Sequence, residues 1–381
     1  MRTYLYEVIT EQRRGFFPFL LKCVLYLFSL VYGMVVRLLV SFWRAKPYKA
    51  SVKVIGVGNI TVGGTGKTSA VIYIAHYLRR QGRKVAVVTR GYKRGTGIGA
   101  RDSGFPSPKP GTRNPIPGTS PLPVTRHPSP ESMGDEPFML ACVLKDIPVV
   151  VDANRIRGIE KARKEYGVDT VILDDSFQQW KIKKDLEIVA IDAGNPFGNG
   201  FLLPRGVLRE PRCALLRADM LLLTKTDGSP GLEELKRTLR DINPHAELFE
   251  SVHQVLGFYE WGDSQTRIES DYFKKGPVLL FSGIGDPGSF EKKVRQEEIT
   301  IEAHLRYPDH YRYRAEDLAG IISTAEGKNI DAILTTEKDA ARLSGTQKIA
   351  GRARIFVCAV RLAIVNDEER FLFRLSGLYS H

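Results

Sequence analysis

The stretch that decides the fold is Val54-Ile-Gly-Val-Gly-Asn-Ile-Thr-Val-Gly-Gly-Thr-Gly-Lys-Thr68. Its apolar start is typical of a buried strand, and its end is a glycine-rich loop that leads into an amphipathic run at residues 69–80, which predicts a helix. Such loops bind nucleotide phosphates, because glycines let backbone N–H groups surround the phosphate oxygens while a lysine reaches the β- and γ-phosphates. A hydroxyl at the end of the loop can hold Mg²⁺.

We assign the nucleotide to seven residues of this loop: Thr61, Gly63, Gly64, Thr65, Gly66, Lys67 and Thr68. The strict pattern G-x-x-x-x-G-K-[ST] requires glycine at position 61, so Thr61 is a departure from it. A glycine-rich turn with an incidental lysine is the alternative. The flanking strand and helix favour the phosphate site, since a helix N-terminus attracts anions.

Length and composition indicate a large globular protein with an anionic partner. A chain of 381 residues with 43% hydrophobic residues can form two lobes. Its four cysteines are scattered without a C-x-x-C pair, which argues against a disulfide framework or a zinc site and favours a reducing compartment. The net charge of +13 fits nucleic acid, a phosphorylated substrate or an acidic membrane surface. Since no recognition helix or base-stacking motif is evident, we predict no nucleic-acid partner.

The N-terminal segment, residues 1–48, is predicted to associate with a membrane. Residues 16–43 are mainly Phe, Leu, Val and Tyr, and basic residues flank them. The uninterrupted apolar part, residues 23–36, is shorter than the roughly 20 residues of an ordinary transmembrane helix. An interfacial anchor therefore fits slightly better than a short or tilted span, and a buried core helix is the remaining alternative.

The rest of the chain predicts an α/β fold with a mostly parallel, P-loop NTPase-like sheet. Short, continuously apolar runs alternate with helix-like stretches, as in sheets that are covered on both faces. Residues 95–130 are rich in Pro, Gly, Ser and Thr and predict a long surface loop. A break near residues 257–276 suggests a P-loop domain over 49–265 and a smaller α/β lobe over 266–381.

Two acidic motifs are candidates for chemistry. The apolar run at residues 168–173 ends in Asp174 and Asp175, where an acid that holds the nucleotide's Mg²⁺ is expected. Which of the two serves the metal stays open, because successive side chains of a strand point to opposite faces. Asp135, before a helical run, is either an N-cap or a base that takes a hydroxyl proton during phosphoryl transfer.

Other polar motifs give weaker indications. Arg155 and Arg157 suit a phosphate or a carboxylate, although arginines at helix starts are often only solvated. Thr224-Lys-Thr-Asp227 resembles the guanine-reading N-K-x-D motif but lacks its Asn. Residues 283–288 match G-x-G-x-x-G, yet Pro287 makes a dinucleotide site improbable. The Asp309-His310 pair could reach an active site if two lobes close over it.

The motifs taken together resemble the tetraacyldisaccharide 4'-kinase family of lipid A biosynthesis. The resemblance covers the chain from residue 54 to residue 340. It rests on Gly58-Asn-Ile-Thr-Val-Gly-Gly-Thr-Gly-Lys-Thr68, Thr89-Arg-Gly-Tyr92, Gly134-Asp-Glu-Pro137, Leu173-Asp-Asp-Ser-Phe-Gln178, Asn195-Pro-Phe-Gly-Asn-Gly200, Leu202-Leu-Pro-Arg-Gly206, Leu208-Arg-Glu-Pro211, Tyr307-Pro-Asp-His310 and Thr335-Thr-Glu-Lys-Asp339.

The resemblance implies an ATP- and Mg²⁺-dependent kinase of two α/β/α lobes at the cytoplasmic face of the bacterial inner membrane. It would phosphorylate the 4'-hydroxyl of a tetraacyldisaccharide 1-phosphate lipid, with no obligate protein partner. The roles it implies, beyond the nucleotide loop, are a base at Asp135 assisted by His310, metal organisation by Thr68, Asp174, Asp175 and Glu210, and substrate binding by Arg90, Arg155 and Arg157.

Four departures from the family pattern and two alternative functions accompany this interpretation. The chain has Ser176 where the family usually has Gly and Gln179 where it has His; Arg205 replaces a common small residue, and the loop at 95–130 is longer. The first alternative is a membrane-associated P-loop GTPase with a regulatory or metal-insertion role. It would be indicated by a preference for guanine nucleotides. The second is a membrane-tethered scaffold that binds ATP without phosphorylating anything.

Overall fold

The computed structural model describes residues 7–9, 13, 15–91, 135–343 and 351–380. The predicted loop at residues 95–130 lies outside them. The helices are α1 (Phe16–Ala45), α2 (Lys67–Arg80), α3 (Asp135–Leu144), α4 (Arg155–Tyr166), α5 (Leu232–Ile242), α6 (Pro287–Gln296), α7 (Ala315–Gly327), α8 (Glu337–Ala340) and α9 (Glu368–Ser376). Short 3₁₀ turns cover Arg212–Arg217, Ser270–Lys275 and Gly377–Tyr379.

The strands form one continuous, mostly parallel sheet, which confirms the predicted fold class. They are β1 (Lys53–Gly58), β2 (Val85–Thr89), β3 (Val149–Val151), β4 (Thr170–Asp174), β5 (Leu186–Asp192), β6 (Met220–Thr224), β7 (Glu247–Glu260), β8 (Asp263–Ile268), β9 (Val278–Ser282), β10 (Ile301–Arg306), β11 (Ala332–Thr336) and β12 (Arg354–Val365). Their order is β10-β9-β11-β12-β7-β6-β5-β1-β4-β2-β3, with β8 beside β7.

The central position of β1 fixes where the phosphate loop stands. β1 pairs in parallel with β4 on one side and β5 on the other, with Val57 opposite Asp174 and Gly58 opposite Val189. The carboxyl ends of these strands therefore meet at one edge of the sheet, which is where ligands bind in open α/β folds. Apolar side chains fill both faces of this half of the sheet, as the continuous runs predict.

Two long antiparallel strands join this half of the sheet, which we call the first lobe, to the part formed by residues 263–343, which we call the second lobe. β12 pairs with β7 from Phe356 opposite Glu260 to Val365 opposite Glu250. The expected break at residues 257–276 contains the end of β7, the strand β8 and a 3₁₀ turn, so the chain stays in the sheet there. The domain bounds remain a prediction. After β12, helix α9 returns to the first lobe, where Phe371 and Leu375 are buried in the core beside α2.

Helix α1 is a single 30-residue helix, longer than the uninterrupted apolar run predicts, because it continues through Lys22 and Arg37. By length and composition alone it could cross a membrane. Most of its large apolar side chains are exposed, whereas Ser29, Gly33 and Val36 are buried. Most of the apolar surface of this helix is therefore not covered by the rest of the protein.

Candidate active site

The glycine-rich loop connects β1 to α2. Gly63 has φ +125° and Gly66 has φ +77°, and both angles lie in the left-handed region that disfavours other residues. A Cβ atom at position 66 would also lie 3.1 Å from Cγ2 of Thr224. The hydroxyl of Thr224 also donates a hydrogen bond to the carbonyl of Thr65 at 3.0 Å. The last residue of β6 therefore packs against the loop and fixes its backbone. The sequence did not indicate this contact.

Lys67 and Asp175 meet at the end of the loop. Lys67 Nζ is 3.4 Å from Asp175 Oδ1, and the guanidinium of Arg209 lies 2.9 Å from both carboxylate oxygens of Asp175. Burial works to raise the pKa of Asp175, but the two cations outweigh it and hold this pKa below its usual range. Asp175 is therefore an ionised carboxylate beside the lysine that would reach the phosphates.

Asp174 has different surroundings. It is the buried last residue of β4 and accepts a hydrogen bond from the hydroxyl of Thr89 at 3.0 Å. Burial raises its pKa to about 6, and the charges of Glu136 and Asp175 act in the same direction. The two neighbouring carboxyl groups thus face different partners: Asp175 faces two cations, and Asp174 faces a hydroxyl. Strand geometry alone could not predict these partners.

Glu210 is almost fully buried, beside Arg209 in the sequence. Its carboxylate forms an ion pair with Arg217 at 2.8 Å and accepts from the indole N–H of Trp180 at 3.2 Å. Gln178 also donates to it, at 3.1 Å, and links it to the segment after Asp175. The motif Leu208-Arg-Glu-Pro211 contains both residues, but only Glu210 is among the predicted site residues, and the contact of Arg209 with Asp175 emerges from the structure.

The three candidate substrate arginines differ in exposure. Arg155 is buried and donates to the backbone carbonyls of Asp152 at 2.8 Å and Asp174 at 3.1 Å, so it holds the ends of β3 and β4 together. Arg157 is exposed and pairs with Asp152 at 2.7 Å. Arg90 is exposed directly after β2.

Asp135 begins helix α3, and its side chain lies outside the described part of the structure. α3 contacts α8 of the second lobe, so this helix stands between the two lobes.

His310 lies in the second lobe with its backbone at φ +62°. Its Nδ1 is 3.2 Å from Nη2 of Arg342. Because a guanidinium can only donate, Nδ1 accepts and the ring proton is on Nε2. Arg342 is in turn paired with the buried carboxylate of Asp339 at 3.3 Å.

The TKTD segment after β6 is engaged by charged groups. Lys225 Nζ lies 2.8 Å from Asp192 and 2.9 Å from Asp286 of the second lobe. Asp227 pairs with Lys293 of the second lobe at 2.7 Å. The two residues that would read a guanine are therefore bound in ion pairs between the lobes.

The residues at the sheet edge fit a nucleotide-bound Mg²⁺ better than a metal held by protein alone. Among the described residues, no group of three or more His, Cys, Asp and Glu side chains is arranged to hold a metal. Mg²⁺ in nucleotide sites typically takes one or two protein carboxylates together with phosphate oxygens and water. Thr68, Asp174 and Asp175 provide that kind of donor set.

Comparisons with known proteins agree with one another and with the resemblance seen in the sequence. A family model described as "Tetraacyldisaccharide-1-P 4'-kinase" matches residues 21–102 and 117–378. A tetraacyldisaccharide 4'-kinase of Halothermothrix orenii is 33% identical, with 90% of this chain and 88% of that protein covered. One of Elusimicrobium minutum is 34% identical, with 87% and 83% covered. The crystal structure of LpxK from Aquifex aeolicus in complex with ATP superposes with a TM-score of 0.69 at 26% identity, covering 94% of this chain and 100% of that one.

Proposed function

The chain belongs to the tetraacyldisaccharide-1-P 4'-kinase family, and from this premise we propose how its residues perform the reaction. The protein is an ATP-dependent kinase that transfers the γ-phosphoryl group to the 4'-hydroxyl of a tetraacyldisaccharide 1-phosphate, giving lipid IVA. The observation that carries the assignment of the site is the ion pair of Lys67 with Asp175 at the end of the phosphate loop.

The phosphate loop binds and orients the nucleotide. The backbone N–H groups of residues 63–68 surround the phosphates, and Lys67 moves from Asp175 to the phosphate oxygens. Asp175, released from Lys67, and Asp174 are available as carboxylate ligands, with Thr68 as the hydroxyl ligand. Mg²⁺, when bound, neutralises charge on the β- and γ-phosphates. Arg209 keeps the Asp175 carboxylate oriented, and Glu210 fixes the segment around it through Arg217 and Gln178.

Proton removal is assigned to Asp135, assisted by His310. A carboxylate that takes the proton of the attacking hydroxyl is a recurrent part of phosphoryl transfer. His310 is assigned to assist this base from the second lobe, where its Nε2 lies 3.9 Å from Oδ2 of Asp309. Arg342 and Asp339 act as positioning residues, because they fix the tautomer and direction of the imidazole.

Substrate binding is assigned to the basic groups beyond β2 and β3. Arg90 and Arg157 are exposed and can reach a sugar phosphate directly. Arg155 is buried and contributes indirectly, because its hydrogen bonds to the carbonyls of Asp152 and Asp174 fix the strand ends beside this site. The exposed apolar face of α1, with its basic flanks, supports docking on an acidic membrane surface, and we place the enzyme at the cytoplasmic face of the inner membrane.

A direct assay tests this function. Detergent-solubilised protein is incubated with Mg·ATP and tetraacyldisaccharide 1-phosphate, and mass spectrometry follows a lipid heavier by one phosphoryl group. We expect product with the unmodified protein and with Lys275→Ala, a change of an exposed lysine in the second lobe, but not with Lys67→Ala. Absence of lipid product, together with tighter binding of guanine than of adenine nucleotide, would instead support the GTPase alternative.

The role of Asp135 has a separate test. Asp135→Ala should lower turnover far more than it weakens ATP binding; unchanged turnover would make Asp135 a helix cap.

A further inference from the structure

Helix α1 touches the body of the protein through one narrow stripe. Its buried residues Ser29, Gly33 and Val36 recur at helical spacing, and a Cβ atom at position 33 would lie 2.7 Å from Cδ1 of Leu202. The hydroxyl of Tyr32 donates to the backbone carbonyl of Arg209 at 2.9 Å. The stripe therefore rests on residues 201–209.

Residues 201–209 are themselves bound to the phosphate loop. The N–H of Val62 donates to the carbonyl of Val207 at 2.8 Å, and the N–H of Arg209 donates to the carbonyl of Ile60 at 2.7 Å. A β-bridge joins Thr61 to Leu208 between them. This short two-stranded contact fixes the backbone just before the glycines that would surround the phosphates.

The same segment also holds the acid of the site. Arg209 donates through its backbone N–H to the loop, accepts through its carbonyl from Tyr32 and binds Asp175 with its guanidinium. Asp175 is in turn paired with Lys67. A continuous series of polar contacts therefore connects the apolar helix to the phosphate-binding lysine through Tyr32, Arg209 and Asp175.

We propose that α1 is a positioning element of the nucleotide site as well as a membrane-facing helix, and that Tyr32 is the positioning residue that sets Arg209 against Asp175. One face of α1 is apolar and exposed, while the stripe at Ser29, Gly33 and Val36 sits on the loop that holds Arg209. The position of α1 on residues 201–209 then affects the turnover of the kinase, and the same helix also keeps the active site close to the lipid. This inference rests on the proposed function.

The contacts define a test that separates positioning from anchoring. Tyr32→Phe removes only the hydroxyl that reaches Arg209 and keeps the ring. Tyr272→Phe is the matched control, since Tyr272 is an exposed tyrosine of the second lobe whose ring packs on Phe273 and Phe356. Gly33→Leu is a second variant, which retains the hydroxyl but forces α1 away from Leu202. For each protein, kcat, the KM for lipid, the KM for Mg·ATP, the melting temperature and partition to phosphatidylethanolamine–phosphatidylglycerol vesicles are measured.

We expect Tyr32→Phe to lower kcat about fivefold, the equivalent of one hydrogen bond, while its lipid KM, vesicle partition and melting temperature stay those of the unmodified protein. Gly33→Leu should lower kcat further, and Tyr272→Phe should match the unmodified protein. A change of lipid KM or vesicle partition with unchanged kcat in both α1 variants would overturn the proposal and make α1 an anchor only. Absence of phosphoryl transfer in the unmodified protein would instead contradict the proposed function.

Discussion

At the scale of single residues, the two adjacent carboxyl groups after β4 have opposite electrostatic surroundings. Asp175 faces the cations Lys67 and Arg209, whereas Asp174 is buried against Thr89. The sequence could predict both acids and the lysine, because each belongs to a local motif. It could not pair Asp175 with Arg209, since Arg209 is placed by the backbone contact of residues 207–209 with residues 60–62, which are far away in the chain.

Replacement of Asp175 tests its role beside Lys67. Asp175→Asn retains the size of the side chain but removes the charge that both cations face. We expect kcat to fall by about 10²-fold or more, because the carboxylate proposed to hold Mg²⁺ and to face Lys67 is lost, and groups that arrange charge around the reacting phosphates typically contribute on this scale. Steady-state kinetics measure the effect, with Asp331→Asn as the control at an exposed carboxylate of the second lobe. A kcat within twofold of the unmodified enzyme would remove Asp175 from the site.

His310 offers a second test at this scale, because its backbone is left-handed at φ +62°. Asparagine tolerates that conformation better than most residues, so His310→Asn should fold while losing the Nε2 proton donor. We expect turnover to fall about 10²-fold, as for other proton-transfer groups, with little change in the KM for Mg·ATP. His245→Asn, at an exposed histidine, is the control. Equal turnover of the two variants would show that His310 is structural.

At the scale of elements, the short apolar runs predicted the sheet strands well because a strand covered on both faces is apolar throughout. The extension of β7 to Glu260, the hairpin with β8 and the return of α9 to the first lobe were not predicted. In each case the residues are locally compatible with several partners. The partner is chosen by the packing of distant segments, which a local pattern does not contain.

The docking of α9 on the first lobe leads to a stability prediction with an internal control. Phe371 is fully buried and meets Phe249 edge-to-face at 5.1 Å, whereas Phe373 is 74% exposed. Phe371→Ala should lower the free energy of unfolding by about 3–5 kcal/mol, because it leaves a cavity beside α2. Phe373→Ala should change it by less than about 0.5 kcal/mol. Urea unfolding followed by circular dichroism measures both, and similar midpoints for the two variants would show that α9 is not docked in this way.

At the scale of the whole molecule, the two lobes are joined by the β7–β12 pair and by ion pairs between their side chains. Lys225 binds Asp286, and Asp227 binds Lys293. The side chains of Asp227 and Lys293 are only 25% and 13% exposed, so their attraction is less screened than that of a surface pair. These pairs stand at the sheet edge where we propose that the nucleotide binds, and there a closed arrangement of the lobes would exclude water from the reacting phosphates.

A charge exchange between the lobes tests whether these ion pairs hold the second lobe against the first. Asp227→Lys places a third cation against Lys292 and Lys293, so we expect the lobes to separate and the radius of gyration in small-angle X-ray scattering to increase. Water would then reach the nucleotide, and ATP hydrolysis without lipid should rise several-fold relative to lipid phosphorylation. Adding Lys293→Asp restores one attractive pair of reversed sign and should recover most of both properties, whereas Lys293→Asp alone should not. Because only a few partly screened charges are exchanged, the shift should be graded and should diminish in high salt. An unchanged radius of gyration and hydrolysis rate in Asp227→Lys would mean that the β7–β12 strands alone hold the lobes together.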